Sequence, residues 1–125
     1  MSDSRKTHTS FEQFWPFYLG EHSLPVTRWF HFVGTTIALL NLITAVVYLA
    51  PTYVISALIS GYFFAWVSHF FIEKNRPATF TYPLWSFIAD WKMWAMMATG
   101  RLGAELQKHA IQPRNKNTSS APAAQ

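Results

Sequence analysis

Two apolar runs, Trp29–Ala50 and Tyr53–Ile72, stand back to back in this chain with only Pro51 and Thr52 between them. Neither holds a charged residue, and each is near the roughly 20 residues a helix needs to cross the hydrocarbon core of a bilayer. Helices joined so tightly form an antiparallel hairpin, and Pro51 is well placed to begin the second of them. Composition points the same way. Half of the 125 residues are hydrophobic and only 13% are charged, about half the charged share of an ordinary soluble domain. A soluble domain this small buries too little of its surface to hide so much apolar area. The expected fold is therefore all-α: a small helical integral membrane protein built on a transmembrane hairpin, with flanking interfacial or re-entrant helices. A compact soluble bundle with unusually apolar helices is the alternative.

The charges flank the apolar runs. Arg28 precedes the first, Lys74 and Arg76 follow the second, and the turn between the runs has none. The net charge of +4 forms no continuous basic footprint, so nucleic acid is not an expected partner. The bias of Lys and Arg toward cytoplasmic loops predicts that the open end of the hairpin and both termini face the cytoplasm, in a bacterial inner membrane. Membrane lipids are the expected surroundings, and self-association of so small a bundle is expected. The absence of cysteine excludes disulfides and thiolate ligands. Met1–Ser10 does not read as a secretory signal, and the first crossing is expected to serve as its own insertion signal.

Four stretches are expected: a flexible lead over 1–9, a helical membrane domain over 10–102, a short amphipathic extension over 103–112 and a disordered tail over 113–125. Within the domain, Ser10 and Gln13 have capping-box spacing. Phe11, Phe14, Trp15 and Tyr18 recur at helical steps up to Gly20, with Pro16 expected to kink or end the helix. This aromatic helix is expected to lie on the membrane or pack on the hairpin. Gly34, Ser56, Ser60 and Gly61 would let helices approach closely, and Asn41 should face another helix rather than lipid. Pro77 and Pro83 bound a charged connection. Leu84–Thr99 is a third apolar run, short for a crossing and carrying Asp90 and Lys92. It is expected to be partly embedded or packed against the open end of the hairpin, with Leu84, Phe87 or Ile88, Trp91, Trp94 or Ala95 and Ala98 on its apolar stripe and Asp90 facing inward; a tilted third crossing is the alternative.

Topology brings three histidines to one face of the membrane. His22 precedes the first crossing, His31 opens it and His69 closes the second. Glu73 follows His69 by four residues, so both can address one centre or each other. With Glu21, Glu73 and Asp90 nearby, the set makes an N/O site of the kind that suits Fe, Zn or Mn. Each imidazole alone is also explained by capping a helix or bonding across a bundle, and His22 alone reads as a surface residue. The spacing matches no compact zinc motif.

The chain resembles the Mpo1-like family. The resemblance is carried by Phe17-Tyr18-Leu19-Gly20-Glu21-His22, by Arg28-Trp29-Phe30-His31-Phe32-Val33-Gly34-Thr35, by the long block from Gly61 to Phe80, and by Pro83-Leu84-Trp85-Ser86 and Asp90-Trp91. It covers about Phe11 to Leu102. It implies an iron(II)-dependent dioxygenase in α-oxidation, using O2 to shorten 2-hydroxy fatty acids by one carbon. It also implies Fe(2+) on His22, His31 and His69. Glu73 or Asp90 would be a further ligand or an acceptor for an imidazole N–H. Lys74, Asn75 and Arg76 would meet the substrate, its carboxylate neutralised by Arg76 or Lys74. The acyl tail would lie alongside Phe63, Phe64 and Trp66. The competing classes are a non-enzymatic membrane scaffold or lipid-binding protein and a zinc-dependent lipid hydrolase.

Overall fold

A computed structural model of the chain describes residues 8–112; the tail expected over 113–125 and most of the lead over 1–9 lie outside them. The described residues form helices and turns with no strand. The helices are α1 (Phe11–Gly20), α2 (Pro25–Val47), α3 (Thr52–Val67), α4 (Pro83–Ala98) and α5 (Leu102–Lys108). A π-helical turn, Ser68–Glu73, continues α3, and a 3₁₀ turn, Ala78–Phe80, precedes α4.

The cap of α1 forms as the sequence predicts, with one shift. The Gln13 N–H donates to Ser10 Oγ at 3.2 Å, while Gln13 Oε1 accepts from the Thr9 N–H at 2.9 Å rather than from that of Ser10. The helix runs through Pro16 to Gly20. It loses one internal hydrogen bond there, in a turn whose Glu12 is exposed.

Each helix of the hairpin starts before its apolar run, and α2 also ends before its own. Pro25 takes the first turn of α2, where its missing N–H costs nothing. The connection occupies Tyr48–Pro51, with Leu49 in the left-handed region at φ 49° and 87% exposed. Thr52 is already helical. α2 and α3 pack along their length where one residue lacks a side chain. A Cβ on Gly34 would stand 2.6 Å from Phe64 Cβ, closer than two carbons can approach. Gly61 faces Ala38 with more room, 3.7 Å from an added Cβ to the Ala38 methyl. Ser56 instead lies on the exposed face. Asn41 satisfies itself locally, its Nδ2 donating to the Ile37 carbonyl at 2.9 Å.

Pro25–Val47 and Thr52–Glu73 are both long and apolar enough to cross a membrane. Only 22% of the apolar window in each is buried within the chain, whereas the core helices of a soluble bundle would be mostly covered. Leu40, Ile43, Val46, Ile55, Ile59 and Phe63 point outward. That is the pattern of helices that meet lipid.

The close-packed core lies elsewhere, at the open end of the hairpin. Phe14, Trp15, Tyr18 and Leu19 of α1 are buried against Ala78, Tyr82, Ala89, Met93 and Leu102. α1 therefore packs on α4, the 3₁₀ turn and α5. The face that α4 buries, Ser86, Ala89 and Met93, differs from the expected stripe; Leu84, Phe87 and Ile88 are exposed. Lys92 sits with its ammonium 4.3 Å from the Trp15 ring centroid. α5 closes the core through Glu105, which accepts the Trp15 indole N–H at 2.7 Å.

Candidate metal centre

Each of the three histidines is positioned by a different local device. His22 lies in the turn after α1. Its Nδ1 is 2.7 Å from the Tyr18 carbonyl, an acceptor only, so Nδ1 carries the proton. Its ring packs against that of Tyr18 with centroids 4.1 Å apart. The side chain read alone as a surface group is thus 1% exposed. Burial, reinforced by the neighbouring imidazoles of His31 and His69, holds its pKa well below the ordinary histidine value.

His69 projects from the π-helical turn, and its Nδ1 is 2.7 Å from Asn75 Oδ1. The orientation of the Asn75 amide follows from its other end, where Nδ2 donates to the Glu21 carbonyl at 3.1 Å. The oxygen therefore faces His69, and His69 too is protonated on Nδ1. His31, in the second turn of α2, directs Nδ1 toward Asp90 at 3.8 Å.

These constraints turn every Nε2 inward. His22 Nε2 is 3.0 Å from His31 Nε2 and 3.0 Å from His69 Nε2. On His22 and His69 both atoms bear lone pairs, since the protons are held at Nδ1. Two lone pairs facing each other in a buried site repel, and no donor can lie between both of them and their ring partners. A cation removes the conflict. Nitrogens about 2.1 Å from a common metal and at right angles stand about 3.0 Å apart, which is the separation of His22 Nε2 from each of the other two. The ligand atoms of His22, His31 and His69 all lie within 4.8 Å of one another. The three buried histidines can hold a metal ion, and the donor set fits one.

The expected carboxylates divide. Glu73 is buried four residues after His69, yet the π-helical turn sends the two side chains to different partners. Glu73 accepts from the Leu24 N–H at 2.7 Å and from Ser23 Oγ at 3.3 Å, so it caps α2, whose N-cap Leu24 has no side-chain acceptor of its own. Arg28 ties the same turn, donating to the carbonyls of His22 and Ser23 at 2.8 and 3.0 Å. Asp90 is the carboxylate beside the histidines. It accepts a hydrogen bond from the Tyr18 hydroxyl. Burial pushes its pKa up to about 7, the Tyr18 bond acting in the opposite direction.

Of the other expected site residues, Lys74 and Arg76 are exposed, Lys74 in a left-handed conformation that ends the π-helical turn and Arg76 over the Phe80 ring. Asn75 orients His69. Tyr18 and Ser23 were not among the expected site residues. The sequence signal for Tyr18 was its place one helical turn before His22.

A cavity of about 280 Å³ opens from this centre between α2, α3 and α4, with His31, Thr35, Asp90 and Trp91 at one end and Leu42 and Val54 at the other. Its lining is mainly apolar, with His31, Thr35, Tyr62 and Asp90 as the polar side chains. Phe63 and Trp66 are not part of it; they are exposed on the outer face of α3.

A family model described as 2-hydroxy-palmitic acid dioxygenase Mpo1-like matches residues 8–102. The chain belongs to the Mpo1-like family. The Mpo1-like segment takes in all three histidines, Glu73, Asn75 and Asp90, together with the helices that position them. No curated protein and no solved structure matches this Mpo1-like chain.

Proposed function

We propose that the chain is an iron(II)-dependent dioxygenase of α-oxidation, acting on 2-hydroxy fatty acids dissolved in the membrane. The observation that carries the reading is the convergence of three buried Nε2 atoms beside a mainly apolar cavity that His31 lines, in a chain whose family is described by a 2-hydroxy-palmitic acid dioxygenase. One O2 with one 2-hydroxy acid balances to an acid one carbon shorter, CO2 and water.

His22, His31 and His69 would hold the iron, which supplies the capacity to engage O2 and the 2-hydroxy acid. The chain supplies the rest. The Tyr18 carbonyl and Asn75 keep protons on Nδ1 of His22 and His69, so that Nε2 is free to ligate. Asp90 lines the cavity beside His31, where it can accept a proton from the substrate hydroxyl. Glu73 fixes the turn that carries His22 to the start of α2. The apolar walls exclude water and receive the acyl tail. Lys74 and Arg76 lie outside the cavity, and their proposed part is to attract the carboxylate at the membrane surface. The same cations, with Arg28, support a cytoplasmic open end.

The test is anaerobic purification in detergent, iron addition, and O2 uptake with 2-hydroxypalmitate. The expected result is one bound metal, a C15 product, and loss of both in His22→Ala, His31→Ala and His69→Ala. A wild-type protein that binds no metal overturns the reading. Stoichiometric zinc with ester hydrolysis and no O2 uptake replaces it with a hydrolase.

A further inference from the structure

The cavity has a definite length, and Ala38, Ala57, Gly61 and Ala65 are the small residues of the hairpin in its wall, beside Leu42, Leu58 and Tyr62. On α2 its lining residues fall at 31, 35, 38 and 42, and on α3 at 54, 57, 58, 61, 62 and 65. Each set is one face of a helix, and each covers eleven residue steps. At about 1.5 Å per residue this is about 16 Å. The midsection lacks bulk: Ala38 faces Gly61, and Ala57 and Ala65 are buried. Space exists here because side chains are missing, while the large residues of α3, Phe63 and Trp66, point outward. At the far end Leu42 and Val54 narrow the space.

From these dimensions we infer that the cavity is a ruler for the acyl chain, with Gly61, Ala57 and Val54 as successive specificity-determining positions. The inference rests on the proposed activity for the identity of the occupant. Its physical basis is the continuity of the cavity with the histidine centre, which puts the reacting end at His31 and Asp90 and leaves one direction for the tail. A zigzag of carbon–carbon bonds of about 1.52 Å advances roughly 1.25 Å per bond, so about 16 Å takes about thirteen bonds. The volume of about 280 Å³, at roughly 30 Å³ per small group, encloses about nine methylenes. The last few therefore lie along the open side, where Leu58 and Val54 are half exposed. A saturated chain of about fourteen to sixteen carbons fits; longer ones pass Val54 and gain no further contact with the protein.

A larger side chain at each position truncates the ruler at its own level. Val54→Trp closes the far end. Ala57→Leu closes it three residues nearer the centre, excluding three or four methylenes, each worth about fourfold in affinity. Gly61→Leu leaves room only for the shortest tails.

The test measures binding of 2-hydroxy acids from C8 to C18 to detergent-solubilised protein by native mass spectrometry, with and without iron, and in parallel the product profile. The expected result is a longest well-bound chain that falls in the order wild type, Val54→Trp, Ala57→Leu, Gly61→Leu. C16 affinity should drop by about 60- to 250-fold in Ala57→Leu, and C8 affinity should stay unchanged. Phe63→Ala, on the outward face, should leave the profile unaltered. Val54→Trp, at a half-exposed rim, keeps the test decisive if a buried variant does not fold. Three outcomes overturn the ruler: a profile that does not move with Val54→Trp, one that moves equally with Phe63→Ala, or retention of phospholipid in place of every 2-hydroxy acid. Shifted binding without oxidation leaves the ruler standing and removes the dioxygenase; oxidation with an unshifted profile does the reverse.

Discussion

Asn75→Ala isolates the device that aims His69. In the native site Asn75 accepts the His69 Nδ1–H at 2.7 Å and donates to the Glu21 carbonyl at 3.1 Å. Alanine removes both. The imidazole is then free to take the other tautomer, with its proton on Nε2, and a ligand is lost from the centre. Leaving a buried donor unsatisfied costs about 1–3 kcal/mol, and removal of a group that orients a metal ligand typically costs 10–100-fold in metal affinity. The two figures agree, since about 1.4 kcal/mol is tenfold. The expected result is a metal affinity weaker by 10–100-fold, read by competition with a chelator of known affinity in detergent. Asn75→Asp retains the acceptor for Nδ1–H and should keep the affinity within about tenfold of wild type. If Asn75→Ala binds metal as tightly as wild type, or if Asn75→Asp fails as badly as alanine, the tautomer argument is wrong.

Three further outcomes are expected. Gly34→Ala should lower the thermal midpoint of the detergent-solubilised protein, by about 1–3 kcal/mol of overpacking against Phe64, while Gly61→Ala, with a 3.7 Å contact, should be nearly neutral. Glu73→Ala should destabilise the protein by about 1–3 kcal/mol through the orphaned Leu24 N–H and also weaken metal binding, because the same turn carries His22; Glu73→Gln, which keeps an oxygen acceptor, should recover most of both. Lys92→Met should cost about 0.5–1 kcal/mol of stability through loss of the contact with Trp15 and leave metal affinity unchanged in the same chelator assay.

The hairpin was legible because periodicity and the absence of charge over twenty residues are coarse signals that local detail cannot reverse. His31 and His69 followed from topology, since the ends of adjacent antiparallel helices must be neighbours. His22 was harder. It comes from a turn, and its burial depends on Tyr18 and on the docking of α1, which no helical spacing shows. The roles of Glu73 and Asn75 were hidden by the π-helical turn. At α-helical spacing Glu73 reads as a companion of His69; one added residue per turn sends it to Leu24, and Asn75 returns to the ring. The tail was expected beside Phe63, Phe64 and Trp66 because large apolar side chains attract attention. The free space lies instead where Ala38, Ala57 and Gly61 leave volume unfilled, and the side chains that mark a cavity in a sequence are its smallest ones.

The division of the molecule into a lipid-facing hairpin and an aromatic cap has a consequence for its biogenesis. His31 and His69 belong to the hairpin, whereas His22 rides on the turn that follows α1, whose buried face belongs to the cap. The ligand set is thus split across the seam between two parts that form in different solvents. A hairpin already inserted in the bilayer has two of its three imidazoles and no competent centre. The third arrives only when α1 docks on α4, so capture of a metal by the three histidines would report completed assembly.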